Sequence, residues 1–232
     1  MATRAERSAA PRPPLTRERV LAAALELADR DGIAGLTMRR LAAELGVEAM
    51  TLYHHVGNKE TLVATLVERV VEGFTPPDPA APDWRTEVRT ALLSAHAVLE
   101  AHRWACPYLQ GTGPMSLGRL RWMEALLARL RSAGFSARQT HHAYHVLDSH
   151  LIGSTLWAAG YATAAAPLDD LAATARAALD PAVFPALIEH IDVHLAPRDP
   201  EDRPTFEVGL DLILDGLARL LHEADPPDHE NP

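Results

Sequence analysis

Thr37-Met38-Arg39-Arg40-Leu41-Ala42-Ala43-Glu44-Leu45-Gly46-Val47-Glu48-Ala49-Met50-Thr51-Leu52-Tyr53-His54-His55-Val56 reads as two short helices crossing steeply. Met38, Leu41, Ala42 and Leu45 recur at the i, i+3, i+4, i+7 spacing of one helical face. Gly46 then breaks the helix, because a turn this tight needs a residue that tolerates positive φ. Ala42, Leu45, Val47 and Leu52 are small or apolar where the two helices must touch. The second helix, expected over 49–55, is left with short polar and aromatic side chains, the kind that reach into a major groove. A plain helical hairpin shares the same Leu-Gly-Val turn, so this pattern by itself leaves DNA binding and simple packing both open.

Working outward, Thr16 can cap a helix carrying Val20, Leu21, Ala24, Leu27 and Ala28 on one face and ended by Asp31-Gly32. Asn58 can cap another with Leu62, Val63, Leu66, Val67 and Val70 apolar. The run Thr75-Pro76-Pro77-Asp78-Pro79-Ala80-Ala81-Pro82 cannot continue it, since proline lacks the amide donor and clashes with the preceding turn. Beyond this junction the periodicity predicts helices over 84–102, 115–132, 137–159 and 205–222. The third of these opens on a capping box, Ser136 with Gln139. Asp180-Pro181 predicts one more short helix with proline at its first position. No stretch alternates like a strand and no repeat is present. The expected fold is all-α, and a family resemblance carried by residues 32–59 and 206–217 implies its two parts: an N-terminal three-helix helix-turn-helix DNA-binding domain joined to a larger helical ligand-binding and dimerisation domain. Its divisions are a disordered basic arm over 1–14, the DNA-binding domain with connecting helix over 15–75, the proline-rich junction over 76–83, the larger domain over 84–225 and a disordered tail over 226–232.

Composition is that of a soluble globular chain, 47 % hydrophobic and 23 % charged. No run of about 18 apolar residues predicts a membrane span. No apolar segment precedes a cleavage site, and the single Cys106 can form no internal disulfide, so a cytoplasmic protein is expected. The net charge of −9 is unevenly spread: residues 1–75 carry ten basic and ten acidic side chains, and the surplus acid lies entirely C-terminal to them. Arg4, Arg7, Arg12, Arg17 and Arg19 concentrate positive charge at the N-terminus, where a phosphate-contacting face would need it. An ordinary solvated surface would look the same.

The segments Gly32-Ile33-Ala34-Gly35-Leu36-Thr37-Met38-Arg39-Arg40-Leu41-Ala42 and Thr51-Leu52-Tyr53-His54-His55-Val56-Gly57-Asn58-Lys59 closely resemble the tetracycline-repressor (TetR) family. Phe206-Glu207-Val208-Gly209-Leu210-Asp211-Leu212-Ile213-Leu214-Asp215-Gly216-Leu217 looks like the last helix of its tetracycline-repressor branch. The resemblance is strong from Thr16 to Val70, recognisable near the end and weak between. It implies that Thr37 and Lys59 contact phosphates, that Tyr53 and His55 hold the backbone, and that Arg39 reaches a base or a phosphate. It implies further that Glu48, Ala49, Met50, Thr51 and His54 face base edges. Tetracycline-responsive members carry a polar-proline pair where this chain has Ala49-Met50, which implies a different operator. Tyr53 also has a competing role as core filler between helices.

The same resemblance implies a homodimer through the helices 137–159 and 205–222, hence a palindromic operator. The apolar stripe Phe206, Leu210, Ile213, Leu214, Leu217 and Leu221 would otherwise finish the chain's own core, and Gly209 and Gly216 would let another helix approach. For an effector cavity, Trp104, Leu109, Met115, Trp122, Met123, Leu126 and Trp157 supply apolar surface. His96, His102, His141, His145 and Ser149 supply polar handles. Core packing competes for each aromatic. His141 with His145, and His190 with His194, have i, i+4 spacing, but no further ligand accompanies either pair, so no metal site and no cofactor is expected. In alignment with the tetracycline sensors, Leu109, Ser149 and Trp157 occupy the positions of groups that organise a magnesium-drug chelate. The resemblance therefore points away from that chelate and toward a small, largely apolar effector. A helical ligand-binding enzyme and an effector-independent DNA-binding protein are the alternatives, and no phosphate loop, Gly-x-Ser-x-Gly or catalytic cysteine signature favours the first.

Overall fold

The computed structural model describes residues 14–109, 116–162, 167–197, 199 and 201–223. Among them are eleven α-helices and no strand, so the chain is all-α as expected. The expected basic arm and C-terminal tail fall almost wholly outside the described residues, as does Met115.

Helix α1 (Arg17–Gly35) opens on Thr16, whose hydroxyl accepts from the Arg19 amide at 3.2 Å. Gly32 interrupts it at φ 69°, ψ 168°, so the regular turn stops at Asp31 and a short coil of helix follows. Helix α2 (Met38–Leu45) is capped by Thr37 in the same way and stopped by Gly46 at φ 66°, ψ 38°. Helix α3 (Ala49–Val56) follows at once. These three bury Val20, Leu27, Leu36, Leu41 and Leu52 among one another, each at 1 % exposure or less. Asp31 ties the corner polar-side: it pairs with Arg30 and Arg40, while Arg40 also donates to the Gly35 carbonyl at 3.1 Å and Arg30 pairs with Glu44. The hydrogen bond from Arg30, aided by the nearby Arg40 charge, holds the Asp31 carboxyl below its ordinary range.

Helix α4 (Lys59–Glu72) starts from Asn58, whose Oδ1 accepts from the Thr61 amide and hydroxyl, both at 2.8 Å. The chain divides into two compact units between Leu66 and Val67, inside this helix. The sequence placed the junction later, at the prolines. The difference arises because the last turns of α4 already belong to the larger unit: Glu68 accepts from the Gly118 amide at 2.6 Å, and Phe74 meets Trp122 edge-on at 5.6 Å.

The larger unit is built on α5 (Trp84–Ala101), α7 (Leu117–Ser132), α8 (Ala137–Ala162) and α11 (Thr205–Leu221). Leu92, Leu99, Leu126, Leu130, Leu147, Leu151, Leu210 and Leu214 fill the space between them, all fully buried. The capping box at the start of α8 is present: the Gln139 amide donates to Ser136 Oγ at 3.2 Å, and the Ser136 amide to Gln139 Oε1 at 2.9 Å. The same glutamine donates through Nε2 to the carbonyls of Leu220 and Glu223, satisfying the end of α11 with the start of α8. Arg89 of α5 joins Glu207 and Asp211 of α11 at 2.7 and 2.8 Å.

Several sequence expectations shift. Residues 103–109 form a 3-10 turn (Arg103–Ala105) and a short helix α6 (Cys106–Leu109) that the periodicity did not predict. Helix α9 (Leu168–Ala178) was likewise not foreseen; Leu168, Leu171, Ala172 and Ala175 recur along one face of it, but it is short and buries no side chain. The helix expected at Asp180-Pro181 begins instead at Pro185, as α10 (Pro185–Leu195). Asp180 Oδ1 accepts from the Ala182 amide at 2.9 Å, an Asx turn that holds residues 180–184 out of the helix. Gly209 was expected to admit another helix. It admits the ring of His150 from α8, which would stand 2.5 Å from an added Cβ.

Candidate DNA-binding surface and sensor cavity

Helix α3 has a sharply divided surface. Leu52 and Val56 are buried at 0 and 5 %, which turns the opposite side outward. Met50 and Tyr53 are 69 and 46 % exposed, and Glu48, Thr51 and His54 are exposed beside them. Ala49 and His55 lie half-buried at the flanks. This exposure sets aside the core-filler role for Tyr53. Adjacent His54 and His55 occupy different sides of the helix. Of the two arginines opening α2, Arg40 is committed to Asp31, whereas Arg39 is exposed and makes no ion pair among the described residues. Thr37 spends its oxygen on capping α2, and Lys59 donates to the Ile33 carbonyl at 3.4 Å from the first turn of α4.

In the larger unit a cavity of about 1000 Å³ opens between α5, α8 and the start of α11. His96 and Glu100, Gly153, Ser154, Trp157 and Ala158, and Asp202 through Phe206 contribute to its wall. Two of the expected ligand residues, His96 and Trp157, meet here. His96 lies flat against Phe206, ring centres 3.7 Å apart, and His150 stacks on the opposite face at 4.7 Å. His150 is fixed through Nε2 to the Phe206 carbonyl at 2.9 Å. Burial holds the His96 pKa below its ordinary value. Trp157 is 62 % exposed. Six of the eleven wall residues carry polar side chains, set among the apolar Trp157, Ala158, Pro204 and Phe206.

The remaining expected ligand residues are dispersed. Trp122 and Leu126 are core, at 3 and 0 % exposure. Met123 is half-buried on the outer side of α7, in a shallow depression with Leu120, Glu124 and Leu127. His102, Trp104 and Leu109 are half-buried, and His145 and Ser149 are exposed on α8. His141 and His145 are ring neighbours at 4.5 Å, but among the described residues no three His, Cys, Asp or Glu side chains are placed to hold a metal.

Sequence reasoning missed Glu100, although it stands four residues after His96 on the same helical face. It also missed a buried polar cluster between α7 and α8. Arg119, at 3 % exposure, pairs with Asp148, donates to the Tyr144 hydroxyl at 3.4 Å and stacks over Trp122 at 5.2 Å. Burial raises the Tyr144 phenol above its ordinary pKa and pushes the nearby Cys106 thiol up to about 11. A single arginine among polar neighbours carries no periodic signal, so nothing in the sequence marked it.

An exposed polar helix on a three-helix core, followed by a larger helical unit with its own cavity, is the arrangement of a helix-turn-helix transcription regulator. The family comparisons agree at both ends: residues 20–66 match the model "Bacterial regulatory proteins, tetR family", and residues 76–221 match "Tetracyclin repressor-like, C-terminal domain". The chain belongs to the TetR family of transcriptional regulators, which are not enzymes. It is 32 % identical to the class C tetracycline repressor of Escherichia coli, over 89 % of this chain and 92 % of that one. It is 31 % identical to the repressor DrrR1 of Streptomyces coeruleorubidus over 63 % of this chain, a match spanning 55 % of that relative. The Streptomyces coelicolor TetR-family protein ActR, solved in complex with actinorhodin, superposes with a TM-score of 0.70 at 26 % identity, covering 91 % of this chain and all of that one. Among the described residues no helix is long and apolar enough to cross a membrane.

Proposed function

We propose that this chain is a cytoplasmic, homodimeric repressor that holds a palindromic operator through α2 and α3 and releases it when a small molecule occupies the larger unit. The observation that carries the proposal is the division of α3. Its buried Leu52 and Val56 anchor it, so Met50, Thr51, Tyr53 and His54 project without a partner of their own. Arg39, Glu48 and Ala49 complete the surface for base edges, while Thr37, Tyr53, His55 and Lys59 hold the phosphate backbone. Dimer formation through α8 and α11 is supported by apolar side chains left outward there, Val146 at 47 %, Val208 at 41 % and Leu212 at 66 % exposure. That ActR, similar to this chain, was solved in complex with actinorhodin supports a small-molecule ligand here too.

Release follows from a population shift: an effector that binds one conformation better favours it by that difference in affinity. Two recognition helices spaced wrongly for successive major grooves, roughly 34 Å apart, then lose the operator. Helix α4 is the covalent lever, since it is continuous from Lys59 to Glu72 and its Glu68 is already bonded to Gly118 at the start of α7.

The test is binding of the purified protein to its own upstream DNA across a salt series, beside a Tyr53→Ala/Lys59→Ala double variant. Tight binding that weakens with salt, and weakens at least about tenfold more in the double variant, is the expected result. Equal binding by the variant would remove α3 and the start of α4 from the interface.

A further inference from the structure

Three histidines crowd the early turns of α8. The rings of His141 and His145 stand 4.5 Å apart, centre to centre and 70° from parallel, and the ring of His142 lies 5.5 Å from His141. All three side chains are exposed, and none of them makes a hydrogen bond or an ion pair among the described residues. Their nitrogens are therefore open to solvent and to whatever solvent carries.

Four residues of separation put His141 and His145 one turn apart on one face, where two imidazoles can reach a single ion. The ring distance agrees. A metal–nitrogen bond of about 2.0–2.1 Å, with the ring centre about 1.1 Å beyond the nitrogen, places two imidazoles about 4.5 Å apart when they subtend about 90° at the ion. A tetrahedral angle would spread them to about 5.2 Å. The separation of 4.5 Å is the right-angled one, which suits tetragonal Cu²⁺ or Ni²⁺ better than tetrahedral Zn²⁺. Among the described residues no third His, Cys, Asp or Glu joins the pair, so the site is not a closed structural centre, and water fills the positions left over. This is why the sequence, which offered only two ligands per helix, predicted no metal.

The other pair of the same spacing differs. His194 Nε2 stands 3.2 Å from Asp169 Oδ1, so that ring is already engaged. The α8 pair also lies to one side of the proposed dimer contact. At about 100° per residue, Val146 is about 100° round the helix from His145 and about 140° from His141.

We propose that His141 and His145 form a two-imidazole site on α8 for a divalent transition ion of the copper–nickel class, with water completing its coordination. The site goes beyond the repressor reading and does not depend on it.

The test is calorimetric titration of the tag-free full chain with Ni²⁺, for wild type, His141→Ala, His145→Ala, His142→Ala and His190→Ala, with circular dichroism reporting that each variant is folded. Wild type is expected to take one Ni²⁺ per chain. Removing either chelating ring makes binding monodentate and should weaken it at least about tenfold, while His142→Ala and His190→Ala should stay within about twofold of wild type. Mg²⁺ should give no signal, because a hard cation takes oxygen ligands. No Ni²⁺ binding by wild type, or an affinity unchanged in both His141→Ala and His145→Ala, would overturn the proposal. So would a loss as large in His142→Ala or His190→Ala, which would mean adventitious association with histidines at large.

Discussion

The two units solve opposite problems with the same helices. In the smaller unit every described buried side chain is apolar, and its polar groups stand in water or in the Arg30, Asp31, Arg40 and Glu44 corner. In the larger unit Arg119, Arg129, Gln139, Thr140 and Thr155 are buried, and all the unbonded buried atoms of the described residues lie there, from His96 and Glu100 to Arg119 and Trp122. A surface that reads DNA keeps its recognition groups hydrated until it docks, so they cost the fold nothing. Among the described residues, buried polar atoms without a partner, each at about 1–3 kcal/mol, fall only in the larger unit.

The sharpest way to break this contrast is to truncate the apolar anchor. Leu52→Ala should cost about 2–5 kcal/mol, because the residue is fully buried under α3 and the small unit has little else to refill the space. Urea unfolding followed by circular dichroism measures it. A loss under about 1 kcal/mol would mean that α3 is held by something other than its core contacts.

That anchor was also the most legible part of the molecule. Leu41, Leu45, Leu52 and Val56 announce their faces by spacing, Gly46 by its necessary φ, and Thr16 and Asn58 by caps that the structure reproduces. The capping box at Ser136 was readable for the same reason: local geometry is encoded locally. The cavity was not. His96 and Trp157 come together only because α5, α8 and α11 pack as they do, and Trp122, with the same aromatic character, ended in the core. Composition could nominate aromatics and histidines for a pocket, but which of them face it is a property of helix packing. Helix α9 escaped notice on other grounds: its stripe of Leu168, Leu171, Ala172 and Ala175 is short and made mostly of alanine.

A smaller effect tests the other half of the contrast. Trp122 is 3 % exposed and its Nε1–H has no acceptor among the described residues, so Trp122→Phe removes an unsatisfied donor while keeping a ring against Phe74 and under Arg119. Two terms oppose. The smaller ring leaves a cavity, and the lost N–H relieves a penalty of about 1–3 kcal/mol. The net change should stay within about 1 kcal/mol, against the several expected for shrinking a buried aromatic with no such compensation. Thermal melts decide it. A loss above about 2 kcal/mol would show that the indole donor is satisfied in solution, and the larger unit would then resemble the smaller one more than it differs.

The smallest effect is the most specific, because it concerns one proton. Burial lowers the His96 pKa below the ordinary 6.5, outweighing Glu100, which pulls the other way. Above that value the ring is neutral in both folded and unfolded chains and stability is full. As pH falls through 6.5 toward the lower folded value, the unfolded chain takes up the proton first, so folding is progressively disfavoured. His96→Phe keeps the stack on Phe206 and deletes the titration. The melting temperature of wild type should therefore drop relative to the variant between about pH 7.5 and about pH 5.5, with the other eleven histidines cancelling in the difference. Parallel curves would mean that His96 meets water as freely in the folded chain as in the unfolded one. The larger unit would then hold its polar wall as open to solvent as the exposed side chains of α3.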